Sequence, residues 1–483
     1  MKKEYLTSRR NFLKAVSAGG SALALPSGII SDSSAQTVNI TAAENAKPGT
    51  SGWALSNPAT NREIEGYAVA TSLNKGGALR VYVSTADPTF IYEVYRLGWY
   101  SGLGARLMKR STAVIGGLQV TPAPLAVTGF VQCNWRESFR LATATNWVSG
   151  LYLIKLISLS GKQAFVRFVL RDDARIAAQL FQSSVTTDQA YNNWGGKSLY
   201  GYNSTSGIAA TKVSFDRPYS TQSLGTGELF SWEFQMMRFL EREGYDVKYC
   251  TNIDTHTSPT QFNTAKAFLS VGHDEYWSKE MRHNTEAARG AGKHLGFFSA
   301  NTCYWQIRLE PNTVSGAGNR AMVCYKWGYV SDPLYGVDNT RVTTRWRDLP
   351  INRPEEALIG VMFGWQPVNA DIVIEDPNHW IMAGTGLRAG DRLPGLVGYE
   401  CDELQGLGPP NIVRVAHSPV SDGVNNGFSD MTVYQAASGA WVFATGTMQW
   451  SWGLDHGDYS TNPALVHPAA QQITRNVLSR FGL

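Results

Sequence analysis

The fold class can be inferred from residues 267–277, which are Ala267-Phe268-Leu269-Ser270-Val271-Gly272-His273-Asp274-Glu275-Tyr276-Trp277. Residues 267–271 have the short apolar pattern of a buried strand. A helical segment comes next, which Ser278 would cap and Gly290 would end. A buried strand that leads directly into a capped helix is typical of a parallel sheet covered by helices. The polar residues of the stretch lie where this strand ends.

The same pattern occurs on both sides of this stretch. Residues 177–181 upstream, and residues 295–299 and 441–445 downstream, are also typical of buried strands, and segments with helical spacing separate them. We therefore predict a mostly parallel α/β domain over residues 173–483, Rossmann-like or amidotransferase-like in arrangement. Within it, residues 301–440 are rich in Gly and Pro, and we predict a long irregular insertion that covers the sheet.

Residues 36–172 follow a different pattern. Leu79, Val81 and Val83 alternate with polar or small residues, which is typical of a half-buried strand. Further strand-like runs are separated by turns, and no convincing amphipathic helix interrupts them. The sequence therefore predicts an N-terminal β-sandwich domain, so that the fold class of the whole chain is α/β plus all-β.

Residues 1–35 have the features of an export signal. Arg9 and Arg10 precede Phe, Leu and Lys, an apolar run covers residues 15–30, and small residues follow at 33–35. A basic segment, an apolar segment and a small-residue cleavage site in this order form a twin-arginine signal peptide. We predict a periplasmic or secreted protein, exported in its folded state, whose mature form does not span the membrane.

Composition narrows the classes of function. The formal net charge is only +4 over 483 residues and no basic stripe is present, which argues against a nucleic-acid partner. The five cysteines have no CxxC spacing and cannot all pair with one another, so at most two disulfides are expected after export. The absence of a G-x-S-x-G elbow and of an HExxH helix disfavours the corresponding serine and zinc hydrolases.

Chemistry is expected where the strands end, because open α/β sheets bind ligands beyond the carboxyl ends of their strands. Polar residues follow three predicted strands, at residues 190–200, 272–277 and 300–305. His273 and Glu275 are two residues apart, so in an extended turn both side chains leave on one side, within reach of one metal ion. The alternative is a buried histidine that is hydrogen-bonded to a neighbouring acid.

At these residues the sequence resembles the large subunit of N,N-dimethylformamidase and its relatives. The resemblance rests on residues 191–196, 198–200, 272–277 and 299–301, with further blocks at 93–100, 446–447 and 449–454. It implies a mononuclear iron held by a tyrosine, a histidine and a glutamate, which by motif are Tyr191, His273 and Glu275. Tyr200 is the competing tyrosine, since both tyrosines flank the same Gly-Gly turn. Phenolate and carboxylate oxygens suit ferric iron better than a soft metal.

The resemblance also implies catalytic roles for three further residues. Asn301 corresponds to a polar group beside the metal and would stabilise the oxyanion. Glu400 corresponds to an acidic residue near the substrate, and Glu400 or Asp274 would carry a proton to the leaving amine. If Asp274 does not carry the proton, its side chain would point away from the metal and act as a supporting or helix-capping group.

These inferences predict an exported iron-dependent hydrolase that cleaves a carbon–nitrogen amide bond in a small amide, with the metal polarising the carbonyl and activating water. Two alternatives stay open: a non-catalytic periplasmic binding protein for a glycan-type ligand, and another metal-assisted hydrolase on the same scaffold. In the family that the sequence resembles, the large subunit works with a small partner subunit. No such partner is evident in this chain, and a homo-oligomer stays open.

Overall fold

A computed structural model describes residues 39–457 and 465–483, so the predicted signal peptide of residues 1–35 lies outside the described residues. In these ranges the α-helices are α1 (Ile40–Asn45), α2 (Val185–Tyr191), α3 (Leu229–Trp232), α4 (Phe234–Arg242), α5 (Asn252–Thr257), α6 (Thr260–Asn263), α7 (Lys279–Gly290), α8 (Glu356–Ile359) and α9 (Pro468–Arg480). The strands are β1 (Ile64–Ala68), β2 (Ser72–Asn74), β3 (Ala78–Thr85), β4 (Thr89–Leu97), β5 (Ala105–Arg110), β6 (Val114–Ile115), β7 (Phe139–Ala142), β8 (Gly150–Ser158), β9 (Gln163–Arg171), β10 (Ala177–Ser183), β11 (Lys212–Ser214), β12 (Val247–Thr251), β13 (Ala265–His273), β14 (Tyr276–Ser278), β15 (His294–Ala300), β16 (Trp305–Glu310), β17 (Ala321–Val323), β18 (Met362–Val373), β19 (Arg392–Glu403), β20 (Val413–Ser421), β21 (Asn426–Gln435) and β22 (Trp441–Ala444).

The N-terminal part of the described chain is built mainly from two sheets. One has the strand order β1-β3-β7 and the other has the order β2-β9-β8-β4-β5, with β6 added to β4. Side chains from both sheets, including Val81, Val94 and Ile154, share one hydrophobic cluster. The alternation through Leu79 buries one face of β3, as its period predicts. The β-rich character predicted for this part is therefore confirmed.

The largest sheet has seven strands in the order β12-β10-β13-β15-β22-β21-β20. The first five strands are parallel, and β21 and β20 are antiparallel additions at one edge. In chain order the parallel strands run 2-1-3-4-5, which is a doubly wound order but not the 3-2-1-4-5-6 order of the dinucleotide-binding fold. The α/β content is as predicted, whereas the specific Rossmann-like arrangement is not confirmed.

Helices cover both faces of this sheet. On one face, Phe234 and Met236 of α4 pack in the same cluster as Leu269 of β13. On the other face, Met281 of α7 packs in a cluster with Phe268. Adjacent residues of β13 therefore point into opposite hydrophobic layers, which explains why this strand is apolar without alternation.

The start of α7 follows the sequence prediction, although the short strand β14 lies between β13 and this helix. The Ser278 side chain accepts a hydrogen bond of 3.1 Å from the Met281 backbone N–H, and the helix extends to Gly290. Ser278 thus satisfies one of the free N–H groups of the first turn. This cap fixes where β14 ends and α7 begins.

The segment 301–440 differs from the prediction of an irregular insertion. β18 and β19 are strands of 12 residues each that pair antiparallel, and β20 and β21 extend the large sheet. The pairing of β18 with β19 has register shifts at three places, beginning between Phe363 and Trp365. Such bulges break the alternation by which a strand is recognised in sequence. The strand β19 carries Glu400, one of the predicted site residues.

All five cysteines are buried and unpaired. Within the described ranges, no helix has the length and apolar character that crossing a membrane requires.

Candidate metal centre

The predicted site residues lie at the point where the strand order of the large sheet reverses. The chain leaves β10 towards β12 on one side, whereas β13 lies on the other side of β10. Such a reversal opens a crevice beyond the carboxyl ends of the strands. Tyr191 ends the helix after β10, His273 ends β13, and Asn301 follows β15, so all three lie at this edge. Glu400 reaches the same place from β19.

Gly272 allows the segment before α4 to approach the end of β13. Its φ is +69°, and a Cβ atom there would lie only 2.3 Å from the Cβ atom of Trp232. Any side chain at this position would therefore displace Trp232. The close approach brings the segment that carries Glu228 against His273.

Tyr191, His273 and Glu275 are in mutual contact. The Tyr191 hydroxyl donates a hydrogen bond of 2.9 Å to Oε2 of Glu275. Nε2 of His273 lies 3.3 Å from the same oxygen and 3.5 Å from Oε2 of Glu400. His273, Glu275 and Glu400 are all buried. The structure therefore brings together the three side chains that the resemblance implies as ligands.

Tyr200 belongs to the same cluster. Its hydroxyl lies 2.8 Å from that of Tyr191 and 3.1 Å from both carboxylate oxygens of Glu275. Tyr276, which the sequence analysis did not single out, donates a hydrogen bond of 2.6 Å to the Tyr200 hydroxyl. The ring of Tyr191 lies beside that of His273, with 5.3 Å between centroids. Tyr191 is thus the tyrosine that contacts both of the other predicted ligands.

The two nitrogens of His273 have different surroundings. Nδ1 lies 3.0 Å from Oε2 of Glu228, which also accepts a hydrogen bond of 3.1 Å from the indole N–H of Trp232. Nε2 is buried and makes no hydrogen bond. A histidine fixed by a carboxylate at one nitrogen, with the other free to face acidic and phenolic oxygens, has the arrangement of a metal-binding histidine. Glu228 was missed in the sequence because no motif marks it.

Asn301 connects two acidic residues of β19. Its side-chain N–H donates a hydrogen bond of 2.6 Å to Oε2 of Glu400, and its backbone N–H donates one of 2.7 Å to Asp402. Its φ of +50° is unusual for a residue other than glycine, and such backbone strain is common at functional sites. Asn301 and Glu400, predicted separately, are therefore direct partners.

Asp274 does not join this cluster. Its carboxylate accepts hydrogen bonds of 2.7 Å from Gln182, 2.9 Å from Asn252 and 2.8 Å from Ser270. These donors belong to β10, α5 and β13, so Asp274 links the ends of three elements behind the site. Of the two roles considered for it, the structure places it where a supporting group would lie.

Charge is concentrated in the cluster. Burial alone would lower the pKa of His273, but the carboxylates of Glu228 and Glu400 and a contact with Glu275 raise it well above its usual range. Burial raises the pKa of Glu400 to about 7, an effect that His273 opposes and Glu275 reinforces. Burial and the charge of Glu275 raise the pKa of the Tyr191 hydroxyl. Several acidic groups thus surround one buried imidazole, which is an environment that favours a cation.

The ligand types fit iron if the tyrosine is included. Among residues 39–457 and 465–483, no three His, Cys, Asp or Glu side chains are grouped so that they would bind a metal by themselves. One imidazole nitrogen, one carboxylate oxygen and one phenol oxygen complete a set of three at His273, Glu275 and Tyr191. Hard oxygen ligands combined with imidazole are suited to iron.

A cavity of about 660 Å³ opens onto the cluster. Tyr191, Glu275, Asn301 and Glu400 form its polar side, and much of the remaining wall is aromatic, including Tyr304, Trp305, Trp327 and Phe363. Its size is that of a small-molecule site. The cavity also contains Lys326, whose pKa burial lowers to about 8 against the opposing charge of Glu275.

Comparisons with known proteins identify related sequences. Residues 91–463 match a family model described as N,N-dimethylformamidase beta subunit-like, C-terminal. The N,N-dimethylformamidase beta subunit of Alcaligenes sp is 24% identical over 303 residues, which cover 55% of this chain and only 38% of that relative's length. A cycloisomaltooligosaccharide glucanotransferase from Paenibacillus sp., solved with cycloisomaltoheptaose, aligns with 8% identity over 79% of this chain and 68% of its own, at a TM-score of 0.18.

Proposed function

Because this chain belongs to the N,N-dimethylformamidase beta subunit-like family, we propose that it hydrolyses a carbon–nitrogen amide bond, with a mononuclear ferric iron bound by Tyr191, His273 and Glu275. The observation that carries the proposal is the position of the buried Nε2 of His273, which lies 3.3 Å from Oε2 of Glu275 and 3.5 Å from Oε2 of Glu400. The twin-arginine pattern around Arg9 and Arg10 supports export of the folded enzyme to the periplasm. Cell fractionation of an Arg9→Lys, Arg10→Lys variant, expected to stay in the cytoplasm, tests that part.

The bound iron would supply Lewis acidity, polarising the amide carbonyl and acidifying a water molecule. The residues of the chain set up this chemistry. Glu228 holds Nδ1 of His273 and thereby directs Nε2 towards Glu275. The aromatic walls of the cavity lower the polarity around the polar side, which strengthens the electrostatic interactions there.

Glu400 is the residue best suited to transfer protons. Its buried carboxylate lines the cavity, lies 3.5 Å from Nε2 of His273 and is oriented by a hydrogen bond from Asn301, so it lies where a proton can be exchanged with a bound amide. It would take a proton from water and deliver it to the leaving amine. Asp274, the alternative, is engaged by Gln182, Asn252 and Ser270 behind the site, which supports assigning this role to Glu400.

Asn301 would act in two ways. One N–H of its amide orients Glu400, and an amide has a second N–H donor. That second donor would stabilise the negative charge that develops on the carbonyl oxygen during attack by water.

Iron-dependent release of an amine from small amides tests the proposal. We expect purified protein to release amine from formamides or larger linear amides, to lose this activity on chelation and to regain it with iron but not with zinc. A binding protein without catalysis would bind ligand and release no amine. Iron-loaded protein that leaves a broad panel of amides intact would contradict the proposal.

Tyr191 and Tyr200 can be distinguished by removing each hydroxyl. We expect Tyr191→Phe to abolish the visible charge-transfer absorption of a ferric phenolate and to lower iron affinity by at least about 10-fold. Tyr200→Phe should retain the absorption, because the Tyr200 hydroxyl accepts a hydrogen bond from Tyr276, whereas the ring of Tyr191 lies beside that of His273. Tyr276→Phe is the matched control for loss of a hydroxyl in the cluster. Loss of the absorption in Tyr200→Phe alone would reverse the assignment.

A further inference from the structure

Lys326 lies in the wall of the cavity beside the candidate metal centre, and its ammonium group has no hydrogen-bond acceptor. The residue as a whole is partly exposed, but Nζ itself is buried and makes no hydrogen bond. A lysine ammonium has three N–H donors and no acceptor. Leaving a buried cation with none of its donors used is costly, so an acceptor from outside the chain is expected.

Aromatic rings surround this ammonium group. Nζ lies 3.2 Å from the ring centroid of Tyr200 and 5.3 Å from those of Tyr276 and Trp305. The ring faces attract a cation, but they have no lone pair that could accept a hydrogen bond from it. The rings therefore hold Nζ in place without accepting hydrogen bonds from its N–H groups.

The backbone on both sides of Lys326 is also fixed. Its φ is +54°, in the left-handed region that a residue with a side chain seldom adopts. The backbone N–H of Tyr325 donates a hydrogen bond of 2.9 Å to Thr343, and Trp327 packs edge-on against Trp305. A strained residue held by its neighbours is typical of a position that serves a ligand.

The cavity is electrically polarised. Tyr200 presents its ring face to Lys326 and its hydroxyl to Glu275, so one phenol ring separates the cation from the carboxylates. Glu400 adds to the acidic end. Bound iron would offset the negative charge of the acidic end, and Lys326 on the other side of the ring would attract a ligand anion. An anion bound there would leave the rest of a short ligand in the cavity, whose polar side includes Asn301 and Glu400.

We propose that the substrate is an amide that carries a carboxylate within a few bonds of the scissile group, and that Lys326 binds this carboxylate. The inference rests on the proposed function, because it concerns the same cavity, and it adds the substrate class. Lys326 would then determine specificity by charge, while the amide carbonyl faces the polar side with Asn301 and Glu400.

Titration calorimetry with N-acetylglycine and its neutral analogue N-acetylglycinamide tests this inference. The two compounds share one amide and differ by the carboxylate. A charge-assisted hydrogen bond is expected to make the wild type bind N-acetylglycine at least about 10-fold more tightly. Lys326→Met should remove the difference and Lys326→Arg should retain most of it. Lys266→Met is the matched control, because Lys266 is exposed at the opposite end of β13.

Affinity is measured on iron-free protein, in which the proposed function predicts no hydrolysis of the titrant, so the two proposals fail separately. Equal affinity of the wild type for both compounds, or a preference for the acid that survives in Lys326→Met, overturns the carboxylate inference even if neutral amides are hydrolysed. A preference that depends on Lys326, in protein that hydrolyses no amide, supports the inference and contradicts the proposed function.

Discussion

His273→Ala is expected to lose its iron and its amide hydrolase activity together. The substitution removes the one nitrogen ligand and leaves Glu275, Glu400 and Glu228 without their buried cationic partner. Removing groups that merely support a ligand already costs about 10–100-fold in metal affinity, so loss of the ligand itself should cost more than about 100-fold. We expect iron content near zero by elemental analysis and a decrease in kcat/KM of at least about 1,000-fold.

His283→Ala is the matched control for this variant. His283 lies on α7, is exposed, and contacts Arg353 rather than the cavity. It should retain both iron and activity. If His273→Ala keeps its full iron content, the ligand assignment is wrong. If it keeps iron but loses activity, His273 acts in catalysis without binding the metal.

The carboxyl-end rule explains why much of the candidate site could be predicted from sequence. Tyr191, His273 and Asn301 each follow a predicted strand, and the ends of parallel strands meet at one edge. That rule requires only that the strands be recognised, and those of the large sheet are short, apolar and bounded by turns. Glu400 came from the family resemblance, because the alternation of β19 is interrupted by bulges.

Glu228, Tyr276 and Lys326 could not be assigned roles in this way. Glu228 is 45 residues from His273 in sequence, and their contact depends on how closely α3 approaches Gly272. Tyr276 lies in the quoted block, but its role depends on the position of the Tyr200 hydroxyl. Lys326 belongs to no motif, and the role inferred for it depends on the absence of a hydrogen-bond acceptor at Nζ. Spacing along the chain does not encode such contacts, which arise from packing between distant segments.

The buried ion pair between Arg96 of β4 and Glu241 of α4 joins the β-rich part of the chain to the helices of the large sheet. The guanidinium donates hydrogen bonds of 2.9 Å and 2.8 Å to the two carboxylate oxygens, and both side chains are fully buried. Glu241 also accepts hydrogen bonds of 2.8 Å from Tyr249 and 2.7 Å from Asn45. Both oxygens of the carboxylate are therefore engaged, and the pair is shielded from solvent.

Glu241→Ala should lower the free energy of unfolding by about 3–5 kcal/mol, because it leaves the Arg96 charge buried and unpaired. Urea denaturation followed by circular dichroism measures the change. Arg110→Ala is the control: its pair with Glu93 spans 3.5 Å and Arg110 is 62% exposed, so a change below about 1 kcal/mol is expected. Similar losses in the two variants would contradict this prediction.

The double variant Arg96→Met, Glu241→Met separates the cost of the unpaired charge from the loss of contacts. Two apolar side chains of similar volume carry no charge that must be paired when it is buried. Replacing a whole buried ion pair in this way is often neutral or stabilising. We therefore expect the double variant to be more stable than Glu241→Ala. If it is equally unstable, the hydrogen bonds from Tyr249 and Asn45 to Glu241, rather than the isolated charge of Arg96, hold the two parts of the chain together.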